Sequence, residues 1–172
     1  MARLIISILF LASLSLNAQQ YIAKDGEITF FSEAPLENIS AINKQVSAVY
    51  DNDSKEIVFQ LYIKDFIFPK ALMQEHFNEN YLESDVYPKS IFSGKVISQE
   101  IKSCTVEGEL TIHGKKNIIT VSGILEKENN TVNISARFMI KLQDYDIKIP
   151  KIVMYKLAEE IEVTVNIKLK EL

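Results

Sequence analysis

Between residues 131 and 142 the chain alternates. Val132, Ile134, Ala136, Phe138, Ile140 and Leu142 share one parity, and Asn133, Ser135, Arg137 and Lys141 the other. A two-residue period of this kind belongs to a strand with one face on a core and one in water. The same pattern runs through 160–169, 104–112 and 56–63, and more weakly through 27–32, 45–50, 90–97 and 117–127, giving about eight strands. Polar clusters at Asp51-Asn52-Asp53-Ser54, His113-Gly114-Lys115-Lys116 and Glu128-Asn129-Asn130 separate alternating runs and predict hairpins. Serial hairpins with one apolar face imply an all-β antiparallel sheet. Such a sheet closes into a barrel or stacks on a second one, and the pattern alone leaves that choice open.

Two stretches break the period. From Pro69 to Ser84, Met73, Phe77 and Tyr81 recur every four residues, which predicts a helix that Pro69 opens and Tyr87-Pro88 follows. Residues 147–159, rich in apolar groups around Pro150, predict a short helix or a lid over one end. At the N-terminus, Arg3 precedes an uncharged run at 4–16 that ends in Leu16-Asn17-Ala18, the signature of a cleavable signal peptide over 1–18. The run is too short to span a bilayer as a helix, so the expected product is an exported domain of residues 19–172 without a stable membrane anchor.

Charge narrows the partners. Without Arg3 the domain carries 18 basic against 23 acidic side chains, a net of −5, with Arg137 its one arginine. Nucleic acid and anionic headgroups call for the opposite sign, so no nucleic-acid partner is expected. A single cysteine, Cys104, excludes an internal disulfide; in step with Val106 and Leu110 it reads as a buried thiol. His76 and His113 belong to no nucleophile motif, and His113 reads as a turn imidazole bonded to local backbone. Glu75 and His76, as helix neighbours, point about 100° apart and make a poor metal pair. Asp144 and Asp146 would share one face if extended, without the rest of a calcium loop. No enzyme activity, metal or cofactor is therefore expected.

The apolar parity is itself the remaining candidate site. An eight-stranded barrel is just wide enough to be filled by side chains or to hold one small apolar ligand. Ala48, Gly108 and Ala136 on the inward parity would leave space, and Phe66-Ile67-Phe68 could line an entrance. The alternative is a filled core in a secreted interaction or structural module.

Several blocks of the chain carry a resemblance. They are Phe31-Ser32-Glu33-Ala34-Pro35-Leu36-Glu37, the run from Lys70 to Tyr81, Glu107-Gly108-Glu109-Leu110-Thr111-Ile112-His113-Gly114, Asp144-Tyr145-Asp146-Ile147-Lys148-Ile149-Pro150, and Ala158-Glu159-Glu160-Ile161-Glu162-Val163-Thr164-Val165. In this order they resemble the YceI-like family of exported lipid- or polyisoprenoid-binding proteins, and most closely its Bacteroidetes-type branch. The family commonly has Gly where this chain has Asp146, and a His-containing first strand where residues 21–31 have none. The resemblance implies a lipocalin-like barrel of eight antiparallel strands, with one or two short helices at one end, around a long apolar chain. On that basis the expected ligand is a polyisoprenoid, an isoprenoid quinone or a fatty-acyl lipid, carried in the periplasm or secreted; dimer formation stays open. The expected wall residues are Phe59, Phe66, Phe68, Phe92, Phe138 and Ile140, with Met73, Phe77, Tyr81 and Ile147 towards the closing end.

Overall fold

Eight antiparallel strands follow one another around a closed barrel, each pairing with its sequence neighbours, and the last pairs with the first. The structure is a computed structural model that describes residues 19–33, 38–101, 103–148 and 158–172. The strands are β1 (Gln20–Ser32), β2 (Ile39–Asp51), β3 (Glu56–Tyr62), β4 (Lys89–Gln99), β5 (Cys104–Ile112), β6 (Lys115–Glu128), β7 (Thr131–Lys141) and β8 (Glu160–Glu171). Between β3 and β4 lie a 3-10 turn (Ile63–Asp65) and a helix, α1 (Ala71–His76), which widens into a π-turn at Phe77–Tyr81. No helix among the described residues is long and apolar enough to cross a membrane.

The strand starts and ends define two rims. Turns at 52–54 and 129–130 form the lower rim; His113–Gly114 and α1 belong to the upper one. Below, Tyr21, Tyr50, Val132 and Leu169 are fully buried and close the barrel, with the two tyrosine rings 6.3 Å apart. His113 and Gly114 both take positive φ, 49° and 73°, the geometry that lets a two-residue turn follow the twist of its strands.

Several local expectations need correction. β1 and β2 are longer than the alternation suggests, because each contains a bulge that reverses its parity. In β1 the register shifts on either side of Gly26. In β2 the inward residues run Ile39, Ala41, Asn43 and then Val46, Ala48, Tyr50, and the backbone N–H of Gln45 donates to Asn43 Oδ1 at 2.9 Å. An extra residue in one strand leaves no two-residue period to read. The helix is shorter than 69–84. Its N-cap is Lys70, and the four-residue spacing of Met73, Phe77 and Tyr81 passes from an α-turn into a π-turn.

β7 stops at Lys141, and Leu142–Tyr145 is a 3-10 turn capped by Asp146 at φ 55°. Asp144 and Asp146 therefore share no strand face, and Asp146 pairs instead with Lys115 Nζ at 2.8 Å. In the lid expected at 147–159, Ile147 is buried, while 149–157 lie outside the described residues.

Candidate ligand-binding cavity

The inward parity of the strands does not fill the barrel. A cavity of about 470 Å³ runs from the lower third of the barrel to the upper rim, within the about 300–1,000 Å³ common for small-molecule sites. Its floor is lined by a rung of small residues, Cys104, Gly123 and Ala136, paired across β5, β6 and β7, with Ile134 below them. Their small size lets the cavity reach low in the barrel, above the tyrosine-closed rim.

The waist is aromatic. Phe59 and Phe92 pair across β3 and β4 with centroids 6.1 Å apart, and Phe138 lies on the wall beside Val163 and Phe30, in register on β8 and β1. Space here has a specific origin. Gly94 and Gly108 oppose each other on β4 and β5, and a Cβ on either would come within 2.9 Å of the Phe92 ring. The two glycines thus admit the Phe92 ring. The room expected at Gly108 is taken by that ring, and Ala48 is buried but off the cavity, whereas Ala136 does line it.

Towards the upper rim, Phe30, Phe66, Phe68 and Phe77 form one cluster with centroids 4.9–5.6 Å apart. The chain from β3 presents Phe66 and Phe68 inward and Ile67 outward, and Ile67 pairs with Ile42 of β2 through two backbone hydrogen bonds. That bridge fixes the parity of the run. Met73, Tyr81, Ile140 and Ile147 complete the upper wall. All ten residues expected on the wall stand around the cavity. Sequence reasoning missed Phe30, because the β1 bulge hides its parity, and Gly123, because an absent side chain has no hydrophobic signal.

The lining holds few polar groups, Gln60, Lys70, His76, Tyr81, Ser90 and Ser135 among them, and no carboxylate among the described residues. Burial pushes the Cys104 thiol and the Tyr81 hydroxyl above their ordinary pKa values. His76 stands at the exposed end, its Nδ1 2.9 Å from Asn80 Oδ1. No group of three or more metal-ligating side chains occurs among the described residues. His113 lies off the cavity and is no local turn imidazole. Its Nδ1 lies 3.1 Å from the carbonyl oxygen of Tyr145, thirty-two residues away, and its Nε2 lies 2.7 Å from Glu83 Oε2.

Solved structures share this architecture at low sequence identity. BcnA of Burkholderia cenocepacia superimposes with a TM-score of 0.74 at 15% identity, over 83% of this chain and 95% of its own. A polyisoprenoid-binding domain from Saccharophagus degradans, implicated in plant cell wall breakdown, gives 0.76 at 11% identity over 90% and 99%. The YceI protein of Campylobacter jejuni gives 0.70 at 18% identity over 81% and 89%. No curated protein matches the sequence significantly. The model of the YceI-like domain matches residues 15–169, nearly the whole of the barrel, and the chain belongs to that family.

Proposed function

We propose that this protein is an exported carrier that holds one long apolar chain, a polyisoprenoid, an isoprenoid quinone or a fatty-acyl lipid, inside its barrel. The observation that carries this reading is the cavity: elongated, walled by aliphatic and aromatic side chains, and free of carboxylates among the described residues. The leader-like residues 1–18 support export, and the Saccharophagus domain, which shares the fold, is named for polyisoprenoid binding. All ten wall residues named from the sequence serve as chain contacts in this reading.

The energetics suit a chain rather than a polar metabolite. With a methylene taken as about the size of a water, about 30 Å³, the cavity admits at least about fifteen carbons. Each buried methylene contributes about 0.8 kcal/mol, close to fourfold in affinity. The sum over fifteen, about 12 kcal/mol, is of the same order as the cost of association, about 4–15 kcal/mol. Affinity therefore depends on how completely a chain fills the space.

The test is to produce the protein with its leader, purify it without detergent, extract it with organic solvent and identify lipids by mass spectrometry. One long-chain species near one per protein is expected. A folded protein that is empty and refuses added isoprenoids and fatty acids would overturn the carrier reading in favour of an interaction module.

A further inference from the structure

The barrel wall is not uniform. β6 and β7 share six rungs, from Glu128–Thr131 up to Gly123–Ala136, although the strands have fourteen and eleven residues. Above that rung they part. Residues 115–122 stay laddered to β5 and 137–141 to β8, but not to each other. β2 and β3 also part, after four rungs, and there the wedge is occupied by the Phe66–Phe68 run through the Ile42–Ile67 bridge. Near the upper rim the β6–β7 wedge is tied by the Asn117 side chain, which donates to the carbonyl of Asp144 at 2.8 Å, by the Lys115–Asp146 pair and by His113 against the Tyr145 carbonyl.

The wedge borders the cavity. Its inner lips, Ile119 and Val121 on one strand and Phe138 and Ile140 on the other, are cavity wall. The cavity also touches Ile124 and Ser135, which pair one rung below the parting although both have outward parity. Gln60, the remaining outward-parity strand residue on the lining, sits on the last rung of the β2–β3 parting. The interior thus reaches outward-facing positions only where the ladders part.

The outer lips carry exposed apolar side chains, Ile118 (69% exposed), Met139 (54%) and Ile124 (41%). The basic groups beside them are already paired: Lys115 with Asp146, Lys116 with Glu109, Arg137 with Glu162 and Lys141 with Glu160. What remains along the parting is three exposed apolar side chains interleaved with Thr120, Ser122 and the paired Arg137. Across a continuous ladder a chain could pass only by breaking hydrogen bonds and leaving their groups unmatched; between 115–122 and 137–141 there is no ladder to break. A chain that passes directly from a bilayer also avoids exposing its methylenes to water.

We propose that the apolar chain enters and leaves sideways between β6 and β7, with Ile118, Ile124 and Met139 laid against a bilayer that need not be anionic. This rests on the carrier reading. The competing route is the opening beside α1, where exposed Leu72 lines the cavity.

Transfer of cis-parinaric acid, a fluorescent fatty acid, from phosphatidylcholine vesicles tests both. Ile118→Glu and Met139→Glu should each slow transfer at least about tenfold without changing final occupancy. Met139→Leu should keep the wild-type rate, and so should Val58→Glu, an exposed site on β3 away from the wedge. Leu72→Glu should have little effect. Wild-type rates in both Glu variants at the wedge, or slowing by Leu72→Glu in their place, would overturn the lateral route while leaving the carrier reading intact. A wild-type protein that takes up no probe would overturn the carrier reading, and the route with it.

Discussion

Phe138 presents its half-buried ring to the cavity from β7, opposite Val163. In Phe138→Asp a carboxylate would face aliphatic groups without a counter-charge, a cost of several kcal/mol whenever a chain displaces its water. Lipid recovered per folded protein should fall at least tenfold; undiminished recovery would take Phe138 off the chain-contacting wall. Cys104 offers a reporter that needs no substitution. Its thiol is buried at the cavity floor and held above the ordinary pKa by that burial. Alkylation should therefore be slow at neutral pH and slower still in lipid-loaded protein. Equal rates in loaded and delipidated samples would place the chain end away from the floor.

Asp146 is a position where two local effects oppose each other. Its positive φ is a conformation that Gly adopts freely and Asp tolerates, while its carboxylate is held below the ordinary range chiefly by a hydrogen bond from Lys115 and then by that lysine's charge. Asp146→Gly relaxes the backbone and loses the pair, so its urea midpoint at pH 7 should lie close to wild type. A depressed carboxylate contributes stability above its unfolded pKa and loses it as pH falls through the folded value. The wild type should thus lose more stability than the glycine variant on acidification below about pH 4. Gly would suit this turn, which needs the left-handed region more than it needs a carboxylate.

Among the elements, the upper rim is held by contacts that no local pattern announces. His113, on the β5–β6 turn, reaches both the 3-10 turn after β7 and Glu83 beyond the π-turn, and its ring is 4.6 Å from that of Tyr87. One side chain fastens three segments. His113→Leu should lower stability by about 1–3 kcal/mol in urea unfolding, the usual range for a hydrogen bond with a charged partner plus an acceptor left unmet. Glu83→Gln should cost less, and the double variant less than the sum of the two. Additive losses would show that the pair does not act as a unit.

The element pattern itself was largely legible in the chain. β5, β7 and β8 alternate without interruption because nothing disturbs their pleat. β1 and β2 were only half visible because a bulge resets their parity, and the π-turn was hidden because a four-residue spacing fits either winding. Phe30, the aromatic residue overlooked on the wall, is a casualty of the first of these.

At the scale of the molecule, occupancy and stability are linked. A ligand bound to the folded barrel alone adds about 2.7 kcal/mol at a hundredfold excess over Kd. For a domain of this length that is a rise in Tm of about 5–11 °C. Delipidated protein should therefore melt lower than protein purified with its lipid and recover on adding back the extract; an unchanged Tm would mean that the interior gains nothing from being filled.

Strand number, the apolar character of the interior and the net negative charge follow from the sequence by itself, since the face a residue presents on a strand depends on its own chain and its near neighbours. Closure of β8 on β1, a hollow rather than filled interior, and the parting of β6 from β7 were decided only by the tertiary structure. Each depends on side chains from strands far apart in sequence meeting across a common space. The Phe92 ring settles over glycines of two strands, and three small residues from three strands form the floor; no single strand encodes the volume left between them.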